Sequence, residues 1–446
     1  MEEDKFALVE KIIKDVHNVL TKIAELYAFD VVPMDINFQN KSPVLHIENC
    51  LGLESWCVKH VYMYCYSELM DKYSIKSKRK TQKISTIDSD RLIRLLNLTL
   101  LLNPEINSLW NRRRELVEGL LIDKTVELHF IRLVLSRKPK CNEAFAYRRW
   151  LLETILQGED NLRNSIEQLI IDELVICDLA SDKSSNNYHS WNHRMWFLYK
   201  LKLVSVNCDL DALYIKEYHA SEKWISKHVS DFSCFHYNQF CIKNLYSLSD
   251  GSWKSLEKTL NIDLRKTLVR VLASNFPKDV TLQASEDNLV KYTEENLINL
   301  LLAYSNKVCI CNVDYVQMSR KIEILFHALV LNNELIQFYK YHETLWYHRR
   351  FILHEIIVIM YDYFGLIRYN GALIKKNCKV CNYDDLRQKQ AKVGRYDSNH
   401  IFSSVLFNVI ITHEKKIIEE RRKDGDHYAD RYEKYLKFVE GLNNVM

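Results

Sequence analysis

The sequence predicts an all-α protein built as a stack of helical hairpins, and three observations predict it. The first is the stretch Asn187-Tyr188-His189-Ser190-Trp191-Asn192-His193-Arg194, which recurs in degraded form around Trp110, Phe145, Phe235 and Trp346. Each copy has an aromatic ring with an arginine three residues later: Arg113, Arg148, Arg194 and Arg349, replaced by Asn238 in the fourth copy. The second is the spacing. The first four rings are separated by 35, 46 and 44 residues, the length of two ordinary helices and two short loops, and periods of tens of residues mark stacked repeats. The third is scarcity of breakers. The chain has 9 Gly and 5 Pro in 446 residues, where roughly 30 and roughly 20 are usual. Tight β-turns and Gly-rich phosphate loops are thereby disfavoured.

In chain order, residues 1–87 read as a helical region with irregular loops. Phe6, Val9, Ile12, Ile13, Val16 and Leu20 recur at helical spacing. A second apolar helix is expected from Leu53 to Met70, with Asp30 to Pro43 irregular between them. The basic run 76–83 reads as a solvated loop. The array spans 88–360. A leucine stripe from Leu92 to Leu102 stops at Asn103-Pro104, and Pro104 suits the first turn of the helix carrying Trp110. Returning helices follow around Leu128–Leu135, Leu169–Leu179 and Leu213–Val229, each leading to the next copy. Residues 246–320 carry a degenerate repeat or an insertion. Residues 361–446 form a helical, partly charged tail, with 412–438 expected as a solvated helix.

An aromatic and an arginine three apart on a helix share a face. The ring can fill the groove between neighbouring helices, and the guanidinium can reach carbonyls or a carboxylate of the next repeat. The Asn, Asp or Ser ahead of the ring suits a helix cap. Trp110, Arg113, Phe145, Arg148, Trp191, Arg194, Phe235, Asn238, Trp346 and Arg349 are therefore expected as scaffold. Tyr188, His189, Tyr147, Tyr237, His236 and His348 are the motif side chains expected to point outward.

Hydrophobic residues are 47% and charged residues 27%, enough for a packed core. A formal charge of +4 gives no cause to expect nucleic acid. Scattered cysteines inside apolar patterns, such as Cys177 and Cys241, suit reduced thiols, and with no signal-like start the expected place is the cytoplasm. No run of about 18 uncharged apolar residues suggests a membrane span. Cys378-Lys379-Val380-Cys381 is a single pair where structural zinc needs four ligands, and Cys309 and Cys311 are too close to complete it. His348 and His354 lie off the i, i+4 spacing of a metal-binding helix face. No Gly-rich phosphate loop or nucleophile elbow is present, so no self-sufficient active site is expected.

The Asn-Tyr-x-x-Trp-x-x-Arg copies resemble those of protein prenyltransferase α subunits. Asn103-Pro104-Glu105-Ile106-Asn107-Ser108-Leu109-Trp110-Asn111-Arg112-Arg113 is similar to the first repeat of the Rab geranylgeranyltransferase α subunit. The resemblance covers about residues 90–250 and the copy near Trp346. It implies a right-handed superhelix of hairpins that wraps a prenyltransferase β subunit, which holds the zinc ion and geranylgeranyl diphosphate. The implied partner is a Rab-type β subunit, as in a type III geranylgeranyltransferase, and the implied substrates are SNARE, F-box or Rab proteins. Where the family reads Lys-Asn-Tyr-His-x-Trp beside the diphosphate, this chain has Asn187, Tyr188, His189 and Trp191, with Asn186 in the lysine position. Tyr188 and His189 are thus the implied accessory catalytic residues, and Lys140, at the corresponding place one repeat earlier, supplies a cation. The competing reading, favoured by Asn186 and Asn238, is a helical-repeat adaptor or escort without transferase activity.

Overall fold

A computed structural model describes residues 2–23, 26–33, 42–73, 86–158, 166–204, 208–260, 312–363, 366–369, 372–375 and 398–444. The chain divides into two compact units, Met1–Cys208 and Asp209–Met446. Both are dominated by a stack of helical hairpins. The basic run 76–83 and the four cysteines Cys309, Cys311, Cys378 and Cys381 lie outside the described residues, as does most of the 246–320 stretch.

The first unit opens with α1 (Glu2–Lys22), a small sheet of β1 (Ala28–Val32), β2 (Val44–Ile47) and β3 (Cys50–Glu54), and α2 (Ser55–Lys72). The strand order is β1-β3-β2, with β1 parallel and β2 antiparallel to β3. This sheet corrects the expectation of irregular loops. Strands of four and five residues are too short for alternation to stand out in sequence. Gly52 sits where a Cβ would come within 3.2 Å of Val32 and 3.3 Å of Leu45, so the central strand needs its bare backbone there. The sheet is tied to the hairpins through the Phe29 amide, which donates to Ser136 Oγ at 2.9 Å.

Three hairpins follow: α3 (Thr86–Leu102) with α4 (Asn107–Glu118), α5 (Lys124–Arg137) with α6 (Asn142–Gln157), and α7 (Ile166–Lys183) with α8 (Tyr188–Leu203). The second unit holds α9 (Leu210–Ile225) with α10 (Phe232–Leu245), then α11 (Asp250–Thr259), then α12 (Asn312–Phe338) with α13 (Glu343–Tyr363). A strand pair, β4 (Leu366–Tyr369) and β5 (Ala372–Lys375), precedes α14 (Ser398–Lys423) and α15 (Tyr428–Asn444). Asp123, Asn187, Asp209 and Asp231 cap α5, α8, α9 and α10 through side-chain oxygens. The helices of the first two copies lack such a cap, because Asn107 and Asn142 are already helical. Pro104 also departs from expectation. It lies in the loop before α4, where its carbonyl accepts from the Trp110 indole at 2.7 Å.

Successive hairpins are joined in one recurring way. Trp110 packs on Tyr147 of the next hairpin at 4.8 Å between ring centres, Phe145 on His193 at 5.2 Å, and Phe235 on His348 at 5.1 Å. The receiving ring stands two places after the motif aromatic of its own helix. This overturns the outward placement of Tyr147, Tyr237 and His348: all three are buried, Tyr147 under Trp110, His348 under Phe235, and Tyr237 with its hydroxyl donating to Glu217 of its own hairpin. Arginine supplies the other half of the junction. Arg113 forks onto Glu127 of α5 and donates to Asn97 of α3. Arg148 pairs with Glu173 of α7 through Nε at 2.8 Å and Nη2 at 2.7 Å. Arg349 holds Glu414 of α14 at 2.6 and 2.8 Å. None of these six side chains is more than 2% exposed. Arg194 donates to Asp178 of α7, and Asn238 donates to Ser221 of α9 at 2.9 Å.

The charged C-terminal stretch is not a solvated tail. Trp346 packs on Tyr432 at 5.3 Å and its indole donates to Asp426 at 3.1 Å. Ile411, Ile418, Tyr432 and Leu436 are buried, so α14 and α15 form a further hairpin. Glu414 and Asp426 are buried within it, and its other charges lie at or near the surface.

Burial makes one junction sensitive to acid. It lowers the pKa of His348 to about 3, against an opposing pull from Glu222. The unfolded chain takes up this proton near pH 6.5 and the folded chain does not. The contribution to stability is therefore complete above about pH 6.5 and is lost as pH falls towards about 3, by roughly 4–5 kcal/mol in all. Tyrosine fills the same place in the second and fourth copies. His348→Tyr is thus expected to fold and to flatten the fall in urea-derived stability between pH 6.5 and 4. An unchanged slope would assign the acid sensitivity to other groups.

Candidate functional site

The expected accessory residues lie on one edge of the first unit, where the N-terminal ends of α6 and α8 come together. Asn187 builds that edge. It is fully buried, its Oδ1 accepts from the Ser190 amide at 3.2 Å, and its Nδ2 donates to the carbonyls of Ala180 at 3.0 Å and Pro139 at 2.7 Å. The last bond clamps the turn before α6 against the turn before α8. Lys140, next to Pro139, is thereby held near Tyr188 and His189, next to Asn187. Asn186 has φ 52°, a left-handed conformation that asparagine tolerates better than lysine does.

Tyr188 is 56% exposed and packs edge-on against His189, with ring centres 5.7 Å apart. Lys140 is exposed and His189 is half-buried. Burial lowers the pKa of His189, and the charges of Arg149 and Lys140 lower it further against the pull of Glu143. The imidazole is therefore neutral at pH 7. Arg149 is the residue that sequence reading missed. Burial lowers its pKa while the Tyr188 phenol acts in the opposite direction. Its guanidinium lies over Trp196 at 5.9 Å, and its Nε approaches His193 Nδ1 at 3.4 Å. The edge thus offers two cations, a phenol and a neutral imidazole, with the Glu143 carboxylate beside them. Such a set can bind an anion and donate to developing negative charge. His236 is also exposed, on α10 of the second unit.

Behind this edge stands the buried Glu173. Burial alone would raise its pKa, but the Arg148 charge and the His193 hydrogen bond outweigh it and hold the carboxyl at about 2. Sequence offered a signal for these carboxylates: Glu127, Glu173 and Glu217 each stand eighteen residues before the motif aromatic of their own hairpin. Among the described residues, no three His, Cys, Asp or Glu side chains converge as a metal site. No described helix is long and apolar enough to cross a membrane.

The repeat family described as "Protein prenyltransferase alpha subunit repeat" matches residues 125–155 and 170–201, which are the second and third hairpins. The chain is 30% identical over 365 residues to "Protein prenyltransferase alpha subunit repeat-containing protein 1" of Homo sapiens, covering 79% of each chain. It is 29% identical over 371 residues to the 1-B protein of that name from Xenopus laevis, covering 80% of this chain and 75% of that one. A more distant likeness, 28% over 178 residues, is to "Geranylgeranyl transferase type-2 subunit alpha" of Candida albicans, covering 36% and 45%. The hairpin stack, its ring-and-arginine junctions and these likenesses converge: the chain belongs to the protein prenyltransferase α subunit repeat family.

Proposed function

We propose that this chain is the α subunit of a heterodimeric protein geranylgeranyltransferase, acting as scaffold for a Rab-type β subunit and recognising substrate proteins. The observation that carries this reading is the clamped edge of Lys140, Arg149, Tyr188 and His189. In the reaction a substrate cysteine thiolate forms a C–S bond to C1 of geranylgeranyl diphosphate while the C1–O bond breaks. Diphosphate departs with the bonding pair. Negative charge therefore gathers on the leaving oxygens, where nearby cations and a phenol O–H are most useful. Lys140 and Arg149 bind that charge, and Tyr188 donates to it. His189, being neutral, orients the phenol and adds no charge of its own. Zinc and the prenyl diphosphate belong to the partner in this reading.

The test is co-expression with the Rab-type β subunit, followed by co-purification and transfer of geranylgeranyl to a protein cysteine. Tyr188→Phe and Lys140→Ala are each expected to lower kcat on the order of 100–1,000-fold, the share of one preorganised donor to developing negative charge, with the heterodimer intact. Unchanged turnover would remove both from the site. Failure to pair with any β subunit would favour an adaptor, the reading that Asn186 in place of the family lysine supports.

A further inference from the structure

A separate cleft opens in the second unit. Its volume is about 840 Å³, and it is lined in part by Leu245, Tyr246, Asp250, Trp253, Arg320 and Lys321. Three elements contribute: the end of α10 with the turn after it, the first turn of α11, and the early turns of α12. The size suits a small organic molecule. The cations are held over aromatic faces, Arg320 over Trp253 at 5.5 Å and Lys321 over Tyr246 at 5.7 Å. Arg320 donates from Nη1 to Asp250 at 2.7 Å, but that carboxylate is 85% exposed. An exposed pair of this kind exchanges easily for another anion.

The unsatisfied groups point the same way. Trp253 is 1% exposed, yet its indole Nε1 has no hydrogen-bond partner among the described residues. The Tyr246 hydroxyl is buried and equally without one. Burial, with the Glu355 charge behind it, raises the Tyr246 pKa far above its usual value, so the phenol stays a donor. Among the described residues Lys321 has no carboxylate in reach. A buried donor left unpaired is costly, and here two donors stand beside two neighbouring cations. The arrangement wants oxygen acceptors carrying negative charge.

We propose that this cleft binds an organic phosphate monoester, its phosphate between Arg320 and Lys321 and its body against Trp253 and Tyr246. Two neighbouring cations on aromatic faces match a dianion. The remaining space and the apolar walls call for an attached ring or short chain. This site is independent of the transferase reading.

The test is titration of the full chain, labelled at tryptophan indole nitrogen, with phenyl phosphate, inorganic phosphate, benzoate and phenol. Phenyl phosphate is expected to move the one indole resonance that Trp253→Phe removes, and to bind at least about tenfold more tightly than each of the other three. Lys321→Gln and Tyr246→Phe should each weaken it by about tenfold with the melting temperature unchanged. An unmoved Trp253 resonance, equal binding of benzoate or phenol, or unaltered affinity in Lys321→Gln would overturn the proposal.

Discussion

Glu173→Ala is expected to lower the stability of the chain by about 3–5 kcal/mol, the usual cost of leaving a buried charge without its partner. The loss is large because one carboxylate serves two donors, Arg148 from α6 and His193 from α8. Without it a guanidinium with 2% exposure and a histidine with none stay buried without a carboxylate, Arg148 keeping its bond to the Leu128 carbonyl. The intact pair need not add much over well-packed apolar residues. It is its breaking that costs. Glu173→Gln should fall between wild type and alanine, since the amide oxygen still accepts from Arg148. The wild-type contribution is complete above about pH 4.5 and is lost as pH falls towards the folded pKa of about 2. Urea unfolding at pH 7 measures the first effect. A loss below about 1 kcal/mol would mean that water enters the junction and resolvates the arginine.

Trp346→Ala should cost a similar amount, about 3–5 kcal/mol. The ring is 3% exposed, packs on Tyr432 and gives its N–H to Asp426. Alanine removes the ring contact and leaves Asp426 without its indole donor, while Arg349 and Glu414 still join α13 to α14. Amide hydrogen exchange should therefore rise in α14 and α15. Protection at wild-type levels in both helices would show that the arginine junction alone suffices to hold the hairpin.

The repeating motif was legible because a ring and an arginine three residues apart survive as a pattern even when neighbouring positions drift. Helix pairing followed from spacing, and burial of Trp110, Phe145, Trp191, Phe235 and Trp346 followed from the stripe they share. The partners were harder to read. Tyr147, Tyr237 and His348 lie two residues past the ring, which on an isolated amphipathic helix faces elsewhere. Tyr147 and His348 are inward because a neighbouring hairpin lays a ring on that side, and Tyr237 because its hydroxyl reaches the buried Glu217. Glu414 and Tyr432 sat in so charged a stretch that composition hid the buried minority. Arg149 carries no motif of its own, and only the Asn187 clamp makes it a neighbour of Tyr188. The short strands of the first unit gave too few residues for a period to emerge.

The junction at Arg113, Arg148 and their glutamates has a bearing on how such chains change length. The middle hairpin of the first unit presents an acceptor, Glu127, on its leading helix and a donor, Arg148, on its trailing one, like matching couplings at the two ends of a rail carriage. Excision of α5 and α6 together would bring Arg113 up to Glu173, a carboxylate of the same kind. Whole hairpins can thus be duplicated or dropped in descent with no compensating substitution at the seam, whereas loss of a single helix strands a charge and is selected against.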